Sequence, residues 1–151
     1  MTRRSWGHEK GYENMSDLNA FLHPVQGDET VEVMISKRFL GEDGKPVPFK
    51  IRALTQEEND RISKQSMRLV KGGRRGEKEF DNVAYTRRLV VSATVTPDFS
   101  NAEMCTAYGV MDPLEVPGRM LLAGEYTRLA DEISRLSGFS DPEDLEEQAK
   151  N

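Results

Sequence analysis

The 151 residues carry 21 Lys and Arg against 26 Asp and Glu, a net charge of −5. That length suits one core and that charge disfavours nucleic-acid partners, which need a basic face. Only 36% of residues are hydrophobic and 31% are charged, and no apolar stretch approaches the roughly 20 residues of a membrane span or forms the core of a signal peptide, so no membrane partner is expected. The single Cys105 excludes an internal disulfide and any multi-cysteine metal site; its plain reading is a small buried hydrophobe in a reducing compartment.

Residues 1–14 are polar around Trp6 and Tyr12 and read as a flexible arm. In Ser16-Asp-Leu-Asn-Ala-Phe-Leu-His-Pro, Ser16 is placed to cap, Leu18, Phe21 and Leu22 lie at i, i+3, i+4, and Pro24 stops the turn, which predicts a short amphipathic helix over 16–23. Two turns are too short to stand alone. The helix either docks on its own domain or serves as a partner-binding motif of the helix-in-groove kind.

Val31, Val33 and Ile35 alternate with Glu32, Met34 and Ser36, a strand pattern. Asp43-Gly44 is a hairpin signal, so residues 31–40 and 47–54 are expected to pair antiparallel, with Pro46 and Pro48 near the turn or at an edge. In the second strand Phe49, Ile51 and Ala53 point one way and Lys50 and Arg52 the other. Thr55 followed by Glu58 predicts a capping box and a strand-to-helix corner. A two-stranded ribbon is marginal in water, so its apolar face must lie on helices or on another chain.

The helix opened at Thr55 is expected to run to about Lys71, with a sparse stripe of Ile62, Met67, Leu69 and Val70, and to break at Lys71-Gly-Gly-Arg-Arg-Gly-Glu-Lys. This basic run, residues 71–78, reads as a solvated loop or as an electrostatic contact for an acidic partner; its spacing is not that of a phosphate loop. Glu79 to Val95 is the most apolar segment and is expected to be a helix at the centre of the core, ended by Thr96-Pro97. Ser100 with Glu103 suggests a second capping box and a short helix stopped by Gly109. Asp112-Pro113 suggests a helix start that Pro117-Gly118 interrupts. Ala123 to Leu136, with Tyr126, Leu129, Ala130, Ile133 and Leu136 on one face, is the clearest helix, and Gly138 terminates it.

The sequence offers no catalytic arrangement, no metal set and no cofactor motif. His8 and His23 fall in the N-terminal part, whereas a general base needs a rigid scaffold. Glu103 and Asp112 are explained by capping, and Cys105 has no neighbouring histidine in sequence. These absences move weight from an enzyme with a site assembled from distant residues to a binding protein. Met104, Met111 and Met120 fit either a core or an adaptable binding surface.

Three phrases, Phe49-Lys-Ile-Arg-Ala-Leu-Thr-Gln-Glu-Glu, Tyr108-Gly-Val-Met and Met120-Leu-Leu-Ala-Gly-Glu-Tyr-Thr-Arg-Leu, resemble the XkdN-like tail assembly chaperones of phages and defective prophages. Leu18-Asn-Ala-Phe-Leu, Gly138-Phe and Glu146-Glu-Gln-Ala-Lys-Asn are also similar, so the resemblance spans roughly residues 16 to 151. It implies a protein made in the host cytoplasm and not expected in the mature virion. It implies binding to the tape measure protein, and it allows tail tube subunits and a frameshifted longer form of the chain as further partners. It carries over no catalytic residue, and the basic insert Gly72 to Lys78 has no match in it.

The resulting expectation is an α+β chain. Residues 1–28 form an arm with the short helix, 29–138 a single domain of an antiparallel β-hairpin on four to five helices, and 139–151 an acidic tail. The expected partner surface is Leu18, Phe21, Leu22, Val31, Val33 and Ile35. A structural virion component, such as a tail tube or tail completion protein, is the rival reading.

Overall fold

The computed structural model of the chain describes residues 17–23 and 29–139. The expectations for residues 1–16, 24–28 and 140–151, including the Ser16 cap, the Pro24 stop and the acidic tail, lie outside the described residues.

The expected hairpin forms. Strand β1 (Val31–Val33) pairs antiparallel with β2 (Phe49–Ile51), Val31 facing Ile51 and Val33 facing Phe49. The connection closes on an isolated bridge between Leu40 and Pro46, and its tip is the Asp43-Gly44 pair. There the Asp43 carboxylate accepts from the Lys45 amide at 3.0 Å, and Gly44 takes the positive φ of 79° that a residue with a Cβ resists. Phe49 and Ile51 are buried and Lys50 is exposed, as the alternation requires. The alternation ends one residue early: Ala53 is exposed and Leu54 is buried, because the chain is already turning into the helix.

The corner is built as the sequence predicts. The Thr55 hydroxyl accepts from the Glu58 amide at 3.2 Å while the Glu58 carboxylate accepts from the Thr55 amide at 3.2 Å, opening α1 (Gln56–Gln65). Arg52 then grips the same carboxylate with both terminal nitrogens, at 3.0 and 2.6 Å. One glutamate thus ties the end of the strand to the first turn of the helix. The Leu54 amide donates to the Ser137 hydroxyl at 2.9 Å, which fastens the corner to the far end of the chain.

Two expectations about the middle of the chain are corrected. Helix α1 stops at Gln65, not near Lys71; Met67–Leu69 is strand β3 and pairs antiparallel with β4 (Lys78–Phe80), so the basic insert is the tip of a second hairpin. Gly72 and Gly76, at φ of 76° and 82°, make that tip feasible. The helix expected over Glu79–Val95 is α2 (Asn82–Ala93), capped by Asp81, and the tail that follows is strand β5 (Thr94–Thr96). β-Branched Thr94, Val95 and Thr96 lose less conformational freedom in a strand than in a helix, and the free edge of β2 takes them antiparallel. The main sheet therefore has three strands in the order β1-β2-β5.

Helix α3 (Ala102–Ala107) is capped by Asn101, which accepts from the Glu103 amide at 2.8 Å, and not by Ser100 with Glu103. Asp112 accepts from the Leu114 amide at 3.0 Å and opens a 3-10 turn (Pro113–Glu115). Pro117 starts α4 (Val116–Met120) instead of interrupting a helix, since its missing amide falls among the donors a first turn leaves free. Helix α5 (Ala123–Leu136) matches its predicted limits. It ends in a Schellman turn: Phe139 donates to the Ser134 carbonyl and Gly138, at φ 91°, to Arg135.

The fold is α+β. Helix α2 lies at its centre, in contact with α1, α4, α5, the 3-10 turn and β5. Val90, Ala93, Phe99, Val116, Leu129 and Ile133 are fully buried around it, with Ile35, Phe49 and Ile51 supplying the sheet's side of one core. Cys105 and Met104 pack against this core, Met120 is within it, and Met111 is 97% exposed.

Candidate partner-binding surface

Residues 17–21 are helical, as the spacing predicts, and the apolar trio stands clear of the domain: Leu18 is 52% exposed, Phe21 80% and Leu22 60%. Single exposed apolar side chains are ordinary, but Leu18 and Phe21 on the short helix and Leu22 just beyond its end, at i, i+3, i+4, form an apolar group that water does not favour. His23, beside them, is exposed and belongs to no metal-holding cluster among the described residues.

The remaining three predicted contact residues divide. Val31 is largely exposed on the outer strand of the sheet, Val33 is half-buried, and Ile35 is 1% exposed in the core. Ile35 is thus corrected from surface to core. The strand ends at Val33, and the chain then turns inward where the Arg128 guanidinium donates to the Ile35 carbonyl at 2.9 Å. Alternation placed Ile35 beside Val31 and could not register that turn. Among the described residues β1 is an edge strand, with one row of its backbone groups left to pair with an incoming strand.

Behind this surface lies an ion pair that sequence reasoning missed. Arg38 reaches across 87 residues to Glu125, with Nη2 at 2.5 Å and Nε at 3.2 Å from its two oxygens, and also donates to the Met120 carbonyl at 3.3 Å. Glu125 in turn accepts from the Leu122 amide at 2.9 Å and so closes the first turn of α5, whose N-cap Leu122 has no side-chain acceptor. The Arg38 hydrogen bond, followed by bonds from Ser36 and the Leu122 amide, pulls the Glu125 carboxyl down to about 2. The one local signal was a glutamate three residues into a helix lacking a polar cap; its partner on another element had none.

Two adjoining hollows of about 580 and 290 Å³ run along the seam between α2 and α5, joined at Tyr126 and Thr127. The larger is lined by Val83, Leu114 and Leu121 together with the charged Arg87, Glu115 and Arg119, and the smaller carries Asp131. Among the described residues neither arginine is in an ion pair. The second hairpin adds another exposed apolar group: Met67 and Phe80 face each other across it and Leu69 lies on the same side, all exposed, with the Arg68–Glu79 pair on the other face.

Among the described residues no cluster of three His, Cys, Asp or Glu is arranged to hold a metal ion, and no helix is long and apolar enough to cross a membrane. Exposed apolar side chains, the outer edge of β1 and the two arginines of the larger hollow are features of the described surface.

Comparison with known proteins agrees. The protein YqbN of Bacillus subtilis (strain 168) is 41% identical over 150 residues, covering 95% of this chain and 99% of YqbN. The phage-like element PBSX protein XkdN of the same strain is 36% identical over 146 residues, covering 92% and 97%. The crystal structure of YqbN superposes with a TM-score of 0.67 at 33% identity, over 80% of this chain and 95% of that one. The family model for the phage XkdN-like tail assembly chaperone protein matches residues 18–150, and the chain belongs to that family of phage tail assembly chaperones.

Proposed function

We propose that the chain acts in the host cytoplasm by reversibly binding the tape measure protein, keeps it soluble until the tail is built, and leaves before the virion matures. Tail tube subunits and a frameshifted longer form of the chain are further candidate partners. The observation that carries this reading is the exposed trio Leu18, Phe21 and Leu22 on and just after the short helix, which the other described residues leave uncovered. A chaperone for a long apolar client needs such surface on a scaffold that stays folded without it. The contact extends to the edge strand through Val31 and Val33, where backbone pairing would hold a client segment with little demand on its sequence.

Co-expression with the tape measure protein tests the reading. The client should remain in the soluble fraction and co-purify with the wild-type chain, and should precipitate with Phe21→Ala, Leu22→Ala, a double variant at exposed positions that leaves the core untouched. Recovery of the chain in assembled tails, with no effect on client solubility, would overturn the proposal in favour of a structural virion component.

A further inference from the structure

The second hairpin sorts its side chains by face and along its length. Residues 67–80 carry Arg68, Lys71, Arg74, Arg75 and Lys78 against Glu77 and Glu79, a net of +3 in a chain whose total is −5. Both carboxylates are engaged: Glu79 accepts from Arg68 at 3.0 Å, and Glu77 from the Arg74 amide at 2.9 Å. Asp81, at the base, caps α2. Lys71, Arg74, Arg75 and Lys78 are exposed, and among the described residues none of them is in an ion pair. The register sets Met67 opposite Phe80 and Leu69 opposite Lys78 on one face, with Arg68 and Glu79 on the other, so the apolar face of the strands holds a cation and no carboxylate. Its apolar side chains sit at the base, where Phe80 meets Tyr85 of α2 with ring centroids 5.4 Å apart. The other free cations lie at the tip, roughly 15–20 Å along the hairpin at about 3.3 Å per residue.

We propose that this face docks an acidic polypeptide segment of a second partner, distinct from the client of the arm helix and β1. Apolar side chains of the segment rest on Met67, Leu69 and Phe80, and its carboxylates reach Lys78 and, beyond it, Lys71, Arg74 and Arg75. Such a segment answers both halves of the face. A two-stranded ribbon is marginal in water, and burial of its exposed apolar side would stabilise it; the unpaired cations set the sign of what covers that side and guide its approach. A nucleic acid would meet the cations alone, would gain nothing from Met67 and Leu69, and would be opposed by the chain's net charge of −5. An anionic bilayer needs apolar side chains that lead into the acyl region with cations behind them. Here the cations lead and the apolar side chains lie at the base.

Fluorescence anisotropy of the full chain with a labelled peptide tests this. The probe, about twelve residues long so that it spans the face when extended, carries alternating Leu and Phe in one half and Glu throughout the other, and is made in both orders because either strand direction fits. One order should bind with a dissociation constant on the order of 100 µM, as suits so small a contact, and more weakly in high salt. Replacing the Glu by Gln, or the Leu and Phe by Ser, should each weaken binding about tenfold or more, as either loss removes one half of the contact. Lys71→Glu, Arg74→Glu, Arg75→Glu and, separately, Met67→Ala, Leu69→Ala, all at exposed positions, should do the same with the melting temperature nearly unchanged. Phe21→Ala, Leu22→Ala should bind the probe as the wild type does, so the client reading stands or falls separately. Failure of both peptide orders to bind at about 1 mM, far above the affinity expected of such a contact, overturns the proposal. So does binding that survives both sets of hairpin variants, or that needs only the Glu half. Tighter binding of a single-stranded oligonucleotide or of phosphatidylglycerol vesicles would give the face to nucleic acid or lipid, and self-association abolished by the tip variant would give it to a second copy.

Discussion

Strand β2 reads Phe-Lys-Ile and strand β3 reads Met-Arg-Leu, the same alternation of apolar, cationic and apolar side chains, with opposite fates. Phe49 and Ile51 are buried because the sheet's inner face lies on the helices, whereas Met67 and Leu69 belong to a two-stranded ribbon whose apolar face stays largely exposed, with Phe80 meeting the ring of Tyr85 at its base. Alternation therefore reports which side chains share a face and not whether that face meets a core; the covering elements decide that.

The largest expected effect follows directly. Phe49→Ala should destabilise the chain by about 3–5 kcal/mol by leaving a cavity in the core, while Leu69→Ala should cost less than about 0.5 kcal/mol. Denaturant midpoints of the two variants measure the contrast, and near-equal losses would erase the distinction between the ribbons.

The joint that holds β2 to its covering helix comes next. Glu58 caps α1 and receives both Arg52 nitrogens, and the Arg52 hydrogen bond, with the Thr55 amide assisting, lowers its carboxyl to about 2. The folded-state value lies below the ordinary carboxylate value of about 4.5, so the charged form favours the fold. Its contribution is complete above pH 4.5 and fades as the pH falls towards 2, with Glu125 acting in the same direction. Glu58→Gln should cost about 1 kcal/mol at neutral pH. Its melting temperature should converge on that of the wild type as the pH is lowered through this window; a gap that stays undiminished from neutral pH down to pH 2.5 would contradict the assignment.

The smallest global effect belongs to the second hairpin. Gly72→Ala and Gly76→Ala force a Cβ into the left-handed region at its tip, at a local cost of about 1 kcal/mol each. Because the ribbon is peripheral, its amide hydrogen exchange should accelerate while the global melting temperature stays nearly constant. A large drop in melting temperature would mean that the ribbon is integral to the core.

The fold was legible wherever a local device sets it. The Thr55–Glu58 box, the Asp43-Gly44 turn, the uninterrupted stripe of Leu129 and Ile133 in α5, and Gly138 each act within a few residues, and each appears where the sequence places it. What escaped depends on distant partners. Thr94–Thr96 extends an apolar helical run and becomes a strand only because β2, some 45 residues earlier, offers an edge. The Met67–Leu69 stripe fits a helix until Lys78–Phe80 pairs with it. Of the predicted contact surface, the helical trio and Val31 are exposed, whereas Ile35 passed for surface because the inward turn behind it is fixed by Arg128 from α5.

On the proposed reading the arm helix and the edge strand, and not the equally apolar second hairpin, receive the client. Hydrogen exchange of the chain alone and bound to the tape measure protein tests it most directly. Amides of residues 18–22 and 31–33 should gain protection on binding while those of 67–69 and 78–80 exchange unchanged. Protection confined to the second hairpin would contradict the account.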